Sequence, residues 1–140
     1  MRRLISLLSL RTVLVEGQSM APTYNDGDWL LVSMKGFKRN GAGISGGRWG
    51  STGVGVTVGT VLLVEREERP GVIFIKRLID IRMDSPNRHH LTNWPTFWVE
   101  GDNKSLSQDS RTWGAISGDE IIGKVLFRVK KNRRGNNEKK

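Results

Sequence analysis

The amino-acid sequence predicts a mainly β protein folded as a single domain. Its apolar residues fall in short runs rather than at helical spacing. Clusters of Gly, Asp and Asn separate those runs and mark turns. A length of 140 residues is enough to bury one hydrophobic core.

Residues 1–11 are an apolar and basic N-terminal segment: Met1-Arg2-Arg3, an uncharged run, then Arg11. That run is shorter than the roughly 20 apolar residues of a spanning helix. No Ala-x-Ala-like cleavage site follows it. The expectation is packing on the domain or peripheral contact with a membrane surface, without a full transmembrane helix, in a membrane-associated or cytoplasmic protein. Residues 12–127 form the main domain. Residues 12–15 read as its first strand, and Trp29-Leu30-Leu31-Val32 as the second, after the turn signal Asn25-Asp26-Gly27-Asp28. Residues 36–59 are a glycine-rich surface loop, with Val54, Val56 and Val58 alternating towards the next strand. No Lys-Ser/Thr follows a GxxxxG spacing there, so a phosphate loop is not supported. Residues 60–65 read as a buried strand, 71–81 and 97–100 as further strands, and 121–127 as the strand that closes the sheet. Residues 128–140 are a basic tail with seven Lys/Arg and one acid, the source of most of the net charge of +9. A solvated terminus is the default reading of such a run.

The absence of Cys excludes disulfides, thiolate-held metal and thiol catalysis. The chemistry in the sequence centres instead on Gln18-Ser19-Met20-Ala21-Pro22-Thr23. Proline fixes its own backbone, so Ser19 sits on a stiff corner just before a hairpin. A serine hydroxyl needs a base to become nucleophilic. His89 and His90 lie side by side in a polar stretch and are poor candidates. The other known partner is a lysine kept neutral by burial. Lys76 lies within Val72-Ile73-Phe74-Ile75-Lys76-Arg77-Leu78-Ile79, and period two puts it on the face of Val72 and Phe74. An arbitrary lysine in that position would snorkel its ammonium to water.

Four stretches together resemble bacterial signal peptidase I. Ser19-Met20-Ala21-Pro22-Thr23 with Gly27-Asp28 resembles its nucleophile box, and Ile75-Lys76-Arg77 its lysine box. Gly101-Asp102-Asn103, Ser107, Asp109-Ser110-Arg111 and Gly114 resemble its third box, and Gly123-Lys124-Val125 its closing strand. The resemblance implies a signal-peptidase-like β-fold and a serine endopeptidase with a Ser–Lys dyad. Ser19 matches the nucleophile and Lys76 the general base. Ser107 matches the hydroxyl that orients the lysine. Asp102, Asp109, Arg77 and Arg111 match a salt-bridged cluster. Gln18, Met20 and Pro22 are the candidate substrate-binding residues. The Ser19 N–H would be the oxyanion donor, and Gly17 replaces a serine that some members place there as a second donor. Arg77, together with burial, is expected to depress the Lys76 pKa. No cofactor and no metal are implied.

The chain departs from the family pattern at Tyr24, where Leu is usual, and at Gly59-Thr60, where Gly-Asp is usual. It also lacks the large insertion of housekeeping signal peptidases. A short member resembles the branch that matures nickel-type superoxide dismutase. The expected partner is thus a precursor protein with an N-terminal leader, with no nucleic acid expected. An ordinary signal peptidase acting on secretory preproteins is the alternative. Self-cleaving repressor-type proteases also pair Ser and Lys but lack the GDN…DSR block. A basic nucleic-acid- or lipid-binding module would explain the tail but not a lysine in an apolar strand.

Overall fold

The computed structural model describes residues 9–37, 56–82 and 95–133. The described chain runs β1 (Leu10–Leu14), β2 (Trp29–Ser33), β3 (Val61–Glu65), β4 (Ile73–Arg82), β5 (Thr96–Glu100), a short helix α1 (Ser110–Trp113), β6 (Ile116–Ser117) and β7 (Ile121–Lys130). All pairs are antiparallel in one sheet of order β1-β2-β7-β3-β4-β5-β6. Register shifts interrupt β2–β7, β3–β7 and β4–β5. Such bulges raise the local twist, which lets one sheet curl round its own core.

Two apolar clusters fill the interior. One gathers Phe37, Leu62, Val64, Leu78, Phe97, Val99, Ile116 and Ile121. The other gathers Val15, Met20, Leu30, Val32, Val61, Leu63 and Val125. The strand β3 feeds both by simple alternation, with Leu62 and Val64 to one side and Val61 and Leu63 to the other. Its unbroken apolar run is thus that of a strand covered on both faces. On β4 the same alternation sends Phe74 and Leu78 to the first cluster and Ile75 to the second.

Several boundaries differ from the sequence expectation. Residues 56–60 form a turn rather than a run-in to a strand. Its N–H of Thr60 donates to the Thr57 carbonyl at 3.0 Å, and Gly59 has φ +99°. The closing strand does not stop at residue 127 but continues through Lys130, because Arg128 and Lys130 pair with Leu30 and Trp29. The first residues of the basic tail are therefore sheet. The polar block after β5 holds a 3-10 turn (Lys104–Leu106) and α1, neither of which the sequence predicts. Residues 1–8, most of the glycine-rich loop, His89-His90 and residues 134–140 lie outside the described residues. Among the described residues no helix is long and apolar enough to cross a membrane.

Candidate active site

The turn carrying Ser19 is built into the β1–β2 connection. Gly17 opens it with φ +85°, a conformation that suits glycine, and its N–H donates to Asp26 Oδ1 at 2.8 Å. Within the turn, the Ala21 N–H donates to the Gln18 carbonyl at 3.1 Å and the Tyr24 N–H to the Met20 carbonyl at 3.0 Å. The Ala21–Pro22 bond is cis. Met20, placed by sequence with the substrate-binding residues, instead buries its side chain in the second core cluster at 1% exposure. A large apolar side chain there gains more from burial than from water, and it anchors the turn from below. Gln18 and Pro22 are exposed, and Ser19 is half-buried.

Asp28 fastens the base of the same connection. It is fully buried and accepts from the Asn25 N–H at 2.9 Å, the Asn132 N–H at 2.8 Å and Arg128 at 3.1 Å. Burial pushes its pKa up, but the two amides and the Arg128 guanidinium outweigh burial and hold it below the ordinary carboxylate range.

Lys76 is 2% exposed. Its Nζ donates to Ser107 Oγ at 2.9 Å, and Ser107 Oγ donates to Asp109 Oδ2 at 2.8 Å. The Lys76 Nζ also lies 6.0 Å from the centre of the Phe74 ring. It does not snorkel. Burial pushes its pKa down to about 8; Asp109 opposes the shift and Arg111 adds to it. Arg77 is not the cation responsible, contrary to the sequence expectation. Its guanidinium is matched by Asp102 through Nε–Oδ1 at 2.8 Å and Nη2–Oδ2 at 2.7 Å, and Nη1 donates to the Gly59 carbonyl at 2.8 Å. A forked pair of this kind cancels most of its field at a neighbour.

The four charged residues of the expected cluster thus form two separate pairs. Arg77–Asp102 is one. Arg111–Asp109 is the other, with Nε–Oδ1 at 3.0 Å and Nη2–Oδ2 at 3.1 Å. Asp109 is fully buried and also caps α1, accepting from the Arg111 N–H at 3.1 Å, and takes the Gly101 N–H at 2.8 Å. Burial would raise its pKa. Arg111, the Gly101 amide and Ser107 together hold it far below the usual carboxylate range. Its fixed negative charge faces the hydroxyl on which Lys76 rests.

The turn and this network meet at Gly101. A Cβ there would collide with the Ser107 side chain and lie 2.6 Å from the Ser19 carbonyl oxygen. Asn103 joins the two halves through its N–H, which donates to the Ser19 carbonyl at 2.9 Å. Thr23 Oγ1 donates to Asp102 Oδ2 at 2.6 Å, which ties the turn to Arg77 and hence to β4. Ser19 Oγ has no hydrogen bond among the described residues, so Lys76 Nζ rests on Ser107 and not on Ser19. Apo sites are often looser than their substrate complexes in this respect.

Sequence reasoning missed Thr23, Asn103 as a clamp, and Glu100. The last accepts from Lys104 at 2.7 Å and from the Trp98 indole at 2.8 Å, 3.9 Å from Arg111. The adjacency of Gly101-Asp102-Asn103 was the available signal, since a glycine in a polar block marks close backbone approach. Gly101→Ala is expected to lower cleavage at least roughly tenfold, because a 1 Å misplacement in a site costs on that order or more. A peptide-cleavage assay alongside a thermal melt checks it; unchanged turnover would mean that the Ser19 backbone yields freely. A cleft of about 1110 Å³ lined by Leu14, Trp29, Val129, Lys130 and Arg133 among others shares no residue with the Lys76–Ser107–Asp109 network. Converging hydrogen bonds, rather than cleft size, mark the candidate site.

Comparison with known proteins agrees with this geometry. The model of the signal peptidase family, peptidase S26, matches residues 92–130, from before β5 to the end of β7. Mitochondrial inner membrane protease subunit 2 of Saccharomyces cerevisiae is 30% identical over 125 residues, covering 80% of this chain and 63% of that protein. These similarities support the signal peptidase I family for this chain. Mitochondrial inner membrane protease subunit 1 of Xenopus tropicalis is 29% identical over 126 residues, covering 84% of this chain and 67% of that protein. Signal peptidase IB of Staphylococcus aureus is 27% identical over 158 residues, with 81% and 74% covered. The chain spans about two thirds of the length of the two mitochondrial relatives. Its predominantly β, single-sheet architecture fits the family.

Proposed function

We propose that the chain is a serine endopeptidase of the signal peptidase I type, with Ser19 as nucleophile and Lys76 as general base, that removes the N-terminal leader of a precursor protein. One observation carries the reading: a lysine buried to 2% exposure, with its pKa pushed down to about 8, is held 2.9 Å from Ser107 beside the Ser19 turn. A lysine of that pKa is a usable base near neutral pH.

In the acylation step, neutral Lys76 takes the Ser19 hydroxyl proton as Oγ attacks the scissile carbonyl carbon. The Ser19 N–H receives the developing oxyanion. The C–N bond then breaks and the Lys76 ammonium returns its proton to the leaving amine. Water, deprotonated by Lys76, hydrolyses the acyl-enzyme and releases the leader as a carboxylate, with the Ser19 proton restored. Ser107 holds Lys76 in place throughout, and Asp109 holds Ser107. Substrate lies extended along the turn, past exposed Gln18 and Pro22. Small residues precede the cut, as in secretory leaders.

Only 24 residues separate Lys76 from Gly101. That short span supports the short-form branch, whose substrate class is a soluble precursor with a brief leader, as in nickel-type superoxide dismutase. A membrane-tethered preprotein is the second reading, favoured by two relatives named for an inner membrane. The purified chain is offered both substrates, the preprotein in detergent, and the new N-termini are sequenced. Cutting of the soluble precursor at its leader junction is expected. Cutting of the preprotein alone, after a small-x-small site, would overturn the substrate choice and leave the protease; no cutting of either would remove both.

A further inference from the structure

Resting on the protease reading above, the geometry points to Asn103 as the positioning residue for the oxyanion donor. Asn103 touches the Ser19 turn twice. Its backbone N–H donates to the Ser19 carbonyl at 2.9 Å, and its Nδ2 donates to the Gln18 carbonyl at 3.0 Å. The Gln18 oxygen can only accept, so the amino end of the amide must face it. Ser105 Oγ donates to Asn103 Oδ1 at 3.1 Å and holds the amide in that sense.

The Gln18–Ser19 peptide is trans, the one cis bond among the described residues being Ala21–Pro22. In a trans peptide the carbonyl and the N–H point in opposite directions across one rigid plane. Fixing the Gln18 oxygen therefore fixes the direction of the Ser19 N–H. The Ala21 N–H also holds that oxygen, but from within the turn itself. Asn103 holds it from outside, and ties the plane to the segment that carries Ser107 and Asp109. The Ser19 N–H has no hydrogen-bond partner among the described residues. It is an open donor on a braced plane, the arrangement that stabilises an oxyanion without reorganising. Gly17 brings no hydroxyl to share the task, so the aim of one N–H sets the rate.

The test uses the full chain, a fluorogenic peptide with Ala-x-Ala before the cut, and the variants Asn103→Ala and Ser105→Ala. Loss of one whole oxyanion donor costs about 10²–10³ in kcat, so misaiming it in Asn103→Ala is expected to lower kcat roughly ten- to a hundredfold. KM should stay within about twofold, since the ground-state peptide does not use the donor. The pH midpoint of the rate should not move, because the surroundings of Lys76 are untouched. Ser105→Ala should fall in the same direction by less. The Ser19 amide resonance should shift in Asn103→Ala while those of β3 and β7 stay in place. Wild-type kcat in Asn103→Ala, or a rise in KM alone, would overturn the role. Should Asn103→Ala fail to fold, Ser105→Ala decides by the same criteria. An inactive parent whose Ser19 amide still answers to Asn103 would sink the protease reading and leave the clamp. An active parent with unchanged kcat and an unmoved amide would do the reverse.

Discussion

Ser19→Ala and Lys76→Met each reduce cleavage by roughly 10³-fold or more, and the double variant is no worse than either, because the two act as one unit. Ser19 is half-buried at the corner of an exposed turn, so its hydroxyl can be lost without opening the core. Methionine matches the lysine stem in length and leaves Ser107 satisfied by Asp109. Both variants should therefore stay folded. Turnover in purified Ser19→Ala would end the assignment. The parent's rate should rise as pH climbs through about 8, where the Lys76 amine loses its proton. Lys76→Arg should be inactive at every pH, since guanidinium stays charged. The same group gives a stability signature. Its folded pKa lies below its unfolded one, so its stabilising contribution is full above the unfolded value of about 10.4 and is lost as pH falls through about 8. Thermal melts across that window should slope for the parent and flatten for Lys76→Met. A rate flat from mildly acidic to alkaline pH would exclude lysine as the base.

Asp28→Ala should destabilise the fold by about 3 kcal/mol, measured by urea unfolding. The substitution strips an acceptor from two backbone amides, those of Asn25 and Asn132, and leaves Arg128 without its carboxylate, bonded to the Thr23 carbonyl at 3.2 Å. Arg128 is one-third exposed, so water relieves part of the loss there. The two part-buried amides lose a fully buried acceptor, which water replaces only in part. Asp28→Asn keeps one acceptor and should cost less. A loss under about 0.5 kcal/mol, the range of ordinary surface changes, would show that the junction is replaceable.

Much of the fold was legible because its strands announce themselves by period two or by unbroken apolar runs. Leu62 to Val64 and Lys76 on the face of Phe74 are the clearest cases. The polar block from Gly101 to Arg111 was legible as a motif but not as a structure. Its order comes from carboxylates bonding to backbone amides, as Asp109 does to Gly101 and Arg111, and spacing carries no trace of that. Arg77 misled for a related reason: adjacency to Lys76 is visible in sequence, whereas its cancellation by Asp102 is not. Arg128 to Lys130 looked like the start of a solvated charge run. Their pairing with β2 depends on a partner about 100 residues earlier, which no local window sees. Lipid binding by the tail is thus best tested by truncation after residue 133, which spares the sheet.

The strand order has a temporal meaning. Ser19 belongs to the β1–β2 hairpin and Lys76 to β4, yet the sheet joins these halves only through β7, which pairs with β2 on one side and β3 on the other. A ribosome delivers β7 after every other strand described here. Until it emerges, the Ser19 hairpin and the Lys76 strand have no shared ladder to hold them in register, and contacts so distant in sequence are slow to form. A half-made chain therefore relies on side-chain links such as Thr23–Asp102–Arg77 to bring Ser19 and Lys76 together, and the ladder that fixes the two halves in register is completed only with the seventh strand.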